Sequence, residues 1–107
     1  MSRESVGHFE LLVLLALLRL DDQAYGVAIA HAIEQSTGKR VILASVYNTL
    51  ERLEEKGLVR SSIGEPTSER GGRAKRYFAV TTTGLRAVRA AKKALTQLWR
   101  GIPVHEG

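Results

Sequence analysis

The chain has 107 residues, 44% of them hydrophobic and 25% charged, with a formal charge of +5. That length allows one domain with at most an appended element, and that composition excludes a disordered tail. The lack of cysteine excludes disulfides and thiolate metal sites and fits a reducing cytoplasm, while the basic balance favours an anionic partner such as nucleic acid.

Leu11 to Leu18 reads LLVLLALL, the length of a signal-peptide core. Glu4 and Glu10 stand upstream where a signal is positive, and Arg19, Asp21 and Asp22 follow without a small-residue cleavage pattern. Eight apolar residues are too few to span a bilayer. The run is therefore expected to be a buried helix over 8–20, apolar on nearly every side and suited to a core or a subunit interface. No membrane association is expected. Asp21 and Asp22 break this helix. A second is expected over 25–36, with Ile29 and Ile33 one turn apart on its buried face and Gly38 as its stop. Residues 41–43 suit a short strand or an extended link.

The third helix is expected over 44–56, ended by Gly57. At about 100° per residue, Val46, Leu50 and Leu53 share one narrow sector. Ser45, Asn48, Thr49, Arg52 and Lys56 fall on a second face, and Glu51, Glu54 and Glu55 mostly on a third. The segregation matters because carboxylates on the second face would repel phosphate. Ser45 is either a residue of that face or the N-cap. Leu58 to Ile63 suits a strand, 64–72 a turn-rich loop, and Arg76 to Thr81 a returning strand with Phe78 and Val80 inward. Thr81, Thr82 and Thr83 offer an N-cap for a last helix over 83–100, closed by Gly101 and Pro103. Val88, Ala91, Leu95, Leu98 and Ile102 form a two-repeat heptad seam that packs on its own domain or pairs with a partner. Arg86, Arg89, Lys92, Lys93 and Arg100 occupy the other sides.

A helix with an uncharged polar stripe followed by a basic hairpin suits DNA: the helix enters the major groove and the hairpin reaches the flanking backbone. The order helix, helix, helix, hairpin, helix is that of a winged helix-turn-helix, mainly α in the α+β class. Tyr25-Gly26, SVYNTLERLEEKGLV at 45–59, GGRAKRYFAVTTTG at 71–84 and the long helix after them narrow it further. On these strings the chain resembles the PadR family of bacterial transcriptional regulators, over residues 10–100. The single terminal helix is similar to the family's short class. Ala74 stands where a proline is common, which bears on the stiffness of the wing alone.

The resemblance implies a ligand-responsive homodimeric repressor on an inverted-repeat operator, with a winged-helix domain over 1–81 and a dimerisation helix and tail over 82–107. Two-fold symmetry would place half-sites about 34 Å apart or a multiple of that. Asn48 and Arg52 are the candidates for base contacts, since Asn pairs bidentately with adenine and Arg with guanine. Ser45 and Thr49 suit phosphate or a thymine edge. For Tyr47 the resemblance implies a phosphate contact, and a half-buried packing role stays open. Arg70, Arg73, Lys75 and Arg76 suit phosphate, with a solvated loop as the plainer alternative.

The resemblance also implies a pore at the dimer centre, where Leu12, Val13, Ala16, Leu95 and Trp99 would line a site for a flat aromatic effector; plain dimer packing is the alternative. His8, His31 and His105 have no metal-ligand spacing, and neither a nucleophile with its base nor a P-loop is present, so neither a cofactor nor an enzymatic activity is expected. Two other readings are a winged-helix protein-interaction module that does not bind DNA and an RNA-binding winged helix.

Overall fold

The N-terminal apolar run forms helix α1, His8–Leu20, in a computed structural model that describes residues 5–64 and 75–103. Helices α2, Gly26–Thr37, and α3, Leu43–Glu55, follow, then strands β1, Val59–Ile63, and β2, Arg76–Val80, and last helix α4, Thr82–Trp99. Because α1 has so little polar surface, other elements enclose it: it packs against α2, α3, β2 and α4. Val13, Leu14, Ala16 and Leu17 of α1 are buried with Ile29 and Ile33 of α2, Val46, Leu50 and Leu53 of α3, and Phe78 of β2. Among the described residues no helix is long and apolar enough to cross a membrane.

The turns follow from local chemistry. Gly38 ends α2 at φ 72°, a left-handed value that costs glycine little, and its amide donates to the Glu34 carbonyl at 2.8 Å. Val41 and Ile42 form an extended link, not a strand, and Leu43 is already helical. Ile42 is the N-cap of α3, so Ser45 lies inside the first turn and does not cap. Gly57 follows α3 at φ 76°, and the Leu58 amide reaches back to the Leu53 carbonyl at 2.9 Å. That closure turns the chain directly into β1.

β1 and β2 pair antiparallel, with Val59 opposite Val80 and Ile63 opposite Arg76. Tyr25 bridges to Tyr77, and the Phe78 amide donates to the Ala24 carbonyl at 2.8 Å, so the entry to α2 acts as a one-residue third strand. At the far end, Thr81 joins three elements. Its hydroxyl donates to the Gly57 carbonyl at 2.7 Å and accepts from the Gly84 amide at 3.0 Å, capping α4. Its own amide donates to the Leu58 carbonyl at 3.0 Å.

The first half of α4 belongs to the same core. Gly84, Ala87 and Val88 are buried there. Val88, the first residue of the seam and a candidate for the dimer interface, packs on its own domain, because the Thr81 cap lays the first turns of α4 against β2 and α1. From Lys92 onward the helix is exposed, and Leu98 at 74% and Trp99 at 65% are uncovered.

Gly84 sits so close to the turn before β1 and to the end of β2 that an added Cβ would meet the Leu58 carbonyl oxygen and the Val80 side chain. Gly-to-Ala in a helix ordinarily stabilises by about 0.5–1 kcal/mol. Here the obstacle is backbone, so Gly84→Ala is expected to destabilise by about 1–3 kcal/mol. Urea unfolding of the two chains checks the sign.

Candidate nucleic-acid interface

α3 sorts its residues by direction. Val46, Leu50 and Leu53 point into the core, while Ser45, Tyr47, Asn48 and Arg52 are exposed. Thr49 does not join them. It is 1% exposed, placed inward beside Leu50 and Leu53, so it offers no edge to a groove. Its hydroxyl instead accepts from Arg52 Nη2 at 3.3 Å. The expected polar face is therefore narrower by one residue, because Thr49 lies at its border with the apolar sector and the helix rotates that border inward.

The exposed face is braced from behind by a buried carboxylate. Glu10 of α1 is 8% exposed and accepts from Lys56 Nζ at 2.9 Å on both oxygens, from the Gly7 amide at 2.8 Å, and lies 3.9 Å from Arg52 Nε. Burial pushes the Glu10 carboxyl up, but the Gly7 amide, Lys56 and Arg52 together outweigh it and hold the group below its ordinary value. The pair ties the C-terminal end of α3 to the start of α1. On the other side, Tyr47 lays its ring on Gly26, where an added Cβ would collide with the ring and its hydroxyl. Tyr47 is still 41% exposed, so the ring packs while part of it stays in solvent.

The base of the wing is cross-braced too. Arg76 donates to Glu54 at 2.9 Å and to the Ser61 hydroxyl at 3.1 Å, and its guanidinium lies 5.1 Å from the Phe78 ring. Its charge is thus engaged with α3, because the register of the hairpin puts Arg76 opposite Ile63 and beside the Glu54 side of the helix. Glu54 in turn is held away from the exposed face of α3. Lys75 sits 4.1 Å over the Tyr25 ring, which meets Tyr77 edge-on at 5.8 Å. Arg70 and Arg73 lie outside the described residues.

With that geometry in place, residues 14–90 match the transcriptional regulator PadR-like family. The chain belongs to this family. The PadR family transcription regulator of hypervirulent Clostridium difficile R20291 superposes with a TM-score of 0.72 at 21% identity, over 88% of this chain and 93% of that one. The PadR family transcriptional regulator of Eggerthella lenta DSM 2243 is 28% identical, with a TM-score of 0.65 over 84% and 76% of the two chains. The complex structure of hsRosR-S4 is 25% identical, with a TM-score of 0.70 over 94% and 79%. No curated protein is significantly similar.

The PadR-like chain leaves other expected residues apart. Val13 is fully buried in the domain core and cannot line a pore between copies, because α1 is enclosed by the other elements on that side. Leu12 and Ala16 line a groove with Ala32 and Ile33 between α1 and α2, whereas Leu95 and Trp99 stand exposed on α4 and take no part in it.

Three residues near the site escaped the sequence reading. Glu10 was read only as a charge ahead of an apolar run; its one local signal is the three-residue spacing from Gly7, whose amide it accepts. Lys39 and Arg40 are exposed in the link before α3, and Arg40 shares a shallow groove with Ser45, Ile42 and Phe9. The Gly-Lys-Arg string between two helices was a signal for them. Among the described residues there is no cluster of potential metal ligands.

A carboxyl whose folded pKa lies below its unfolded value contributes stability above the unfolded value and loses it as pH falls through the folded one. Glu10→Gln should therefore cost about 1 kcal/mol at neutral pH, a modest figure because Lys56 is a third exposed and can rehydrate. The difference from the native chain should shrink as pH drops below about 4.5. Unfolding titrations at several pH values measure it; a gap that widens on acidification would contradict the assignment.

Proposed function

We propose that this PadR-like protein is a sequence-specific DNA-binding repressor that acts as a homodimer on an inverted repeat. The observation that carries the reading is the exposed polar patch of Ser45, Asn48 and Arg52 on a helix braced on both flanks. In this reading Asn48 and Arg52 read base edges. Ser45, Tyr47, Lys39 and Arg40 hold the backbone, and Arg70, Arg73 and Lys75 of the wing reach the flanking phosphates. Arg52 would leave its Glu10 contact for the DNA, a loose pairing at 3.9 Å that costs little to exchange.

The second copy is placed on the outer half of α4. Leu95, Leu98, Trp99 and Ile102 are all more than half exposed, and side chains of this size gain about 1.5–3 kcal/mol each on full burial. Ala91 lies at the inner margin of that surface. A flat aromatic effector is placed against Trp99, between copies and not in the α1–α2 groove.

Fluorescence anisotropy with the gene's own upstream duplex and a scrambled one tests the DNA assignment. Asn48→Ala or Arg52→Ala should each relax preference at one operator position by about 1–3 kcal/mol. Unchanged preference in the double variant would sink the groove assignment, and no salt-sensitive binding by the native chain would leave a protein-interaction module. Trp99, the single tryptophan, reports on the rest. Its emission should move to the red on dilution as the dimer opens, and a planar aromatic effector should quench it while weakening operator binding. A monomer in light scattering at micromolar concentration would refute the dimer, and no quenching across a broad compound panel would refute the effector.

A further inference from the structure

The positive charge of this chain is not where the winged helix is. The first 81 residues hold eleven cations against ten acids, whereas Thr82–Arg100 carries Arg86, Arg89, Lys92, Lys93 and Arg100 and no acid at all. Those five cations equal the formal charge of the whole chain, +5. All five are exposed. Among the described residues the ion pairs are Arg52 and Lys56 with Glu10 and Arg76 with Glu54, none of which involves α4.

The five are also ordered. At about 100° per residue, Arg86, Arg89, Lys93 and Arg100 fall within one sector of α4, opposite Val88, Ala91, Leu95 and Leu98, with Lys92 at the margin. At 1.5 Å per residue the row runs for about 21 Å. Arg89, Lys92, Lys93 and Arg100, with Thr96 and Gln97, line a continuous shallow depression. Ordinary solvated helices interleave acids with bases, as α3 does with Glu51, Arg52, Glu55 and Lys56. Like charges three and four residues apart, as in Arg86–Arg89 and Arg89–Lys93, repel and weaken a helix. Such a row is stabilised when an anion lies along it.

We infer that the outer face of α4 is a second, sequence-independent contact for the phosphate backbone of duplex DNA. A duplex carries one negative charge per about 1.7 Å of its axis, an extended polyanion that matches an extended row of cations. A protein partner fits less well: the face offers no aromatic or aliphatic anchor, and interface cores are depleted in lysine. Thr96 and Gln97 are the neutral donors that commonly accompany Arg and Lys on phosphate. The face is opposite the apolar seam, so pairing of two copies through the seam leaves it open. This inference rests on the DNA-binding reading for the identity of its partner, but not on base recognition by α3.

The test is the salt dependence of binding to a scrambled fluorescein-labelled duplex and to the upstream duplex, for the native chain and for R86Q/R89Q/K93Q/R100Q. Each phosphate neutralised adds about 0.9 to the slope of log affinity against log salt. The variant should flatten that slope by about two to four units on both duplexes and leave the ratio of their affinities unchanged. K93Q/R100Q, confined to the exposed half of the helix, should show about half the effect, and circular dichroism with light scattering confirms fold and assembly.

Native slopes in the variants, with native DNA binding intact, would overturn the inference and give the face to an acidic protein. Loss of the affinity ratio alone would also overturn it, by placing the row on base recognition. Failure of the DNA reading looks different: the native chain itself would then show no salt-sensitive binding.

Discussion

Helix α1 has almost no polar face, and water must be kept from it on nearly every side. The rest of the chain is arranged to do that. α2 and α3 cover two of its sides, Phe78 of the hairpin and the first turns of α4 cover more, and Val13, Leu14 and Leu17 end essentially dry. Among the described residues the enclosure is incomplete. Leu15 and Leu18 remain exposed, as do the apolar residues of the outer half of α4. Unfinished enclosure of this kind, on two separate helices, is what gives the homodimer reading its physical basis.

The same constraint orients α3. Because its apolar sector must meet α1, the opposite side is fixed in solvent, and two ion-paired clusters hold it there. Glu10 anchors the end of α3 through Lys56, and Glu54 ties its flank to the wing through Arg76. Both pairs use acids that would otherwise oppose phosphate. The helix therefore shows solvent Ser45, Asn48 and one loosely paired cation, Arg52, while Lys56 and Arg76 act as braces. In the DNA-binding reading, this division lets a winged-helix part with almost no net charge face a duplex, and it is why a separate basic surface on α4 is proposed.

Much of the architecture could be read from residue patterns. All four helices were expected within two residues of their bounds, since each is marked by a strong local signal: an acidic break, Gly38, Gly57, or the threonine cap. The hairpin and its inward Phe78 were equally legible. What local pattern misjudged were residues on a border between faces. Thr49 sits where the polar stripe meets the apolar sector, and a rotation of a few tens of degrees buries it. Val88 and Val13 failed for a related reason: a heptad spacing or an all-round apolar run says that a residue is covered, but not by which surface.

Sequence alone thus determined the elements, their order and the polar and basic faces, because helix periodicity and turn chemistry act within a few residues. The tertiary structure decided which apolar side meets its own core and which is left for a partner. It also decided which charges are already engaged: Glu10 meets Lys56 across 46 residues and Arg76 meets Glu54 across 22. Pairings at that separation follow from packing around α1, and no local spacing encodes them.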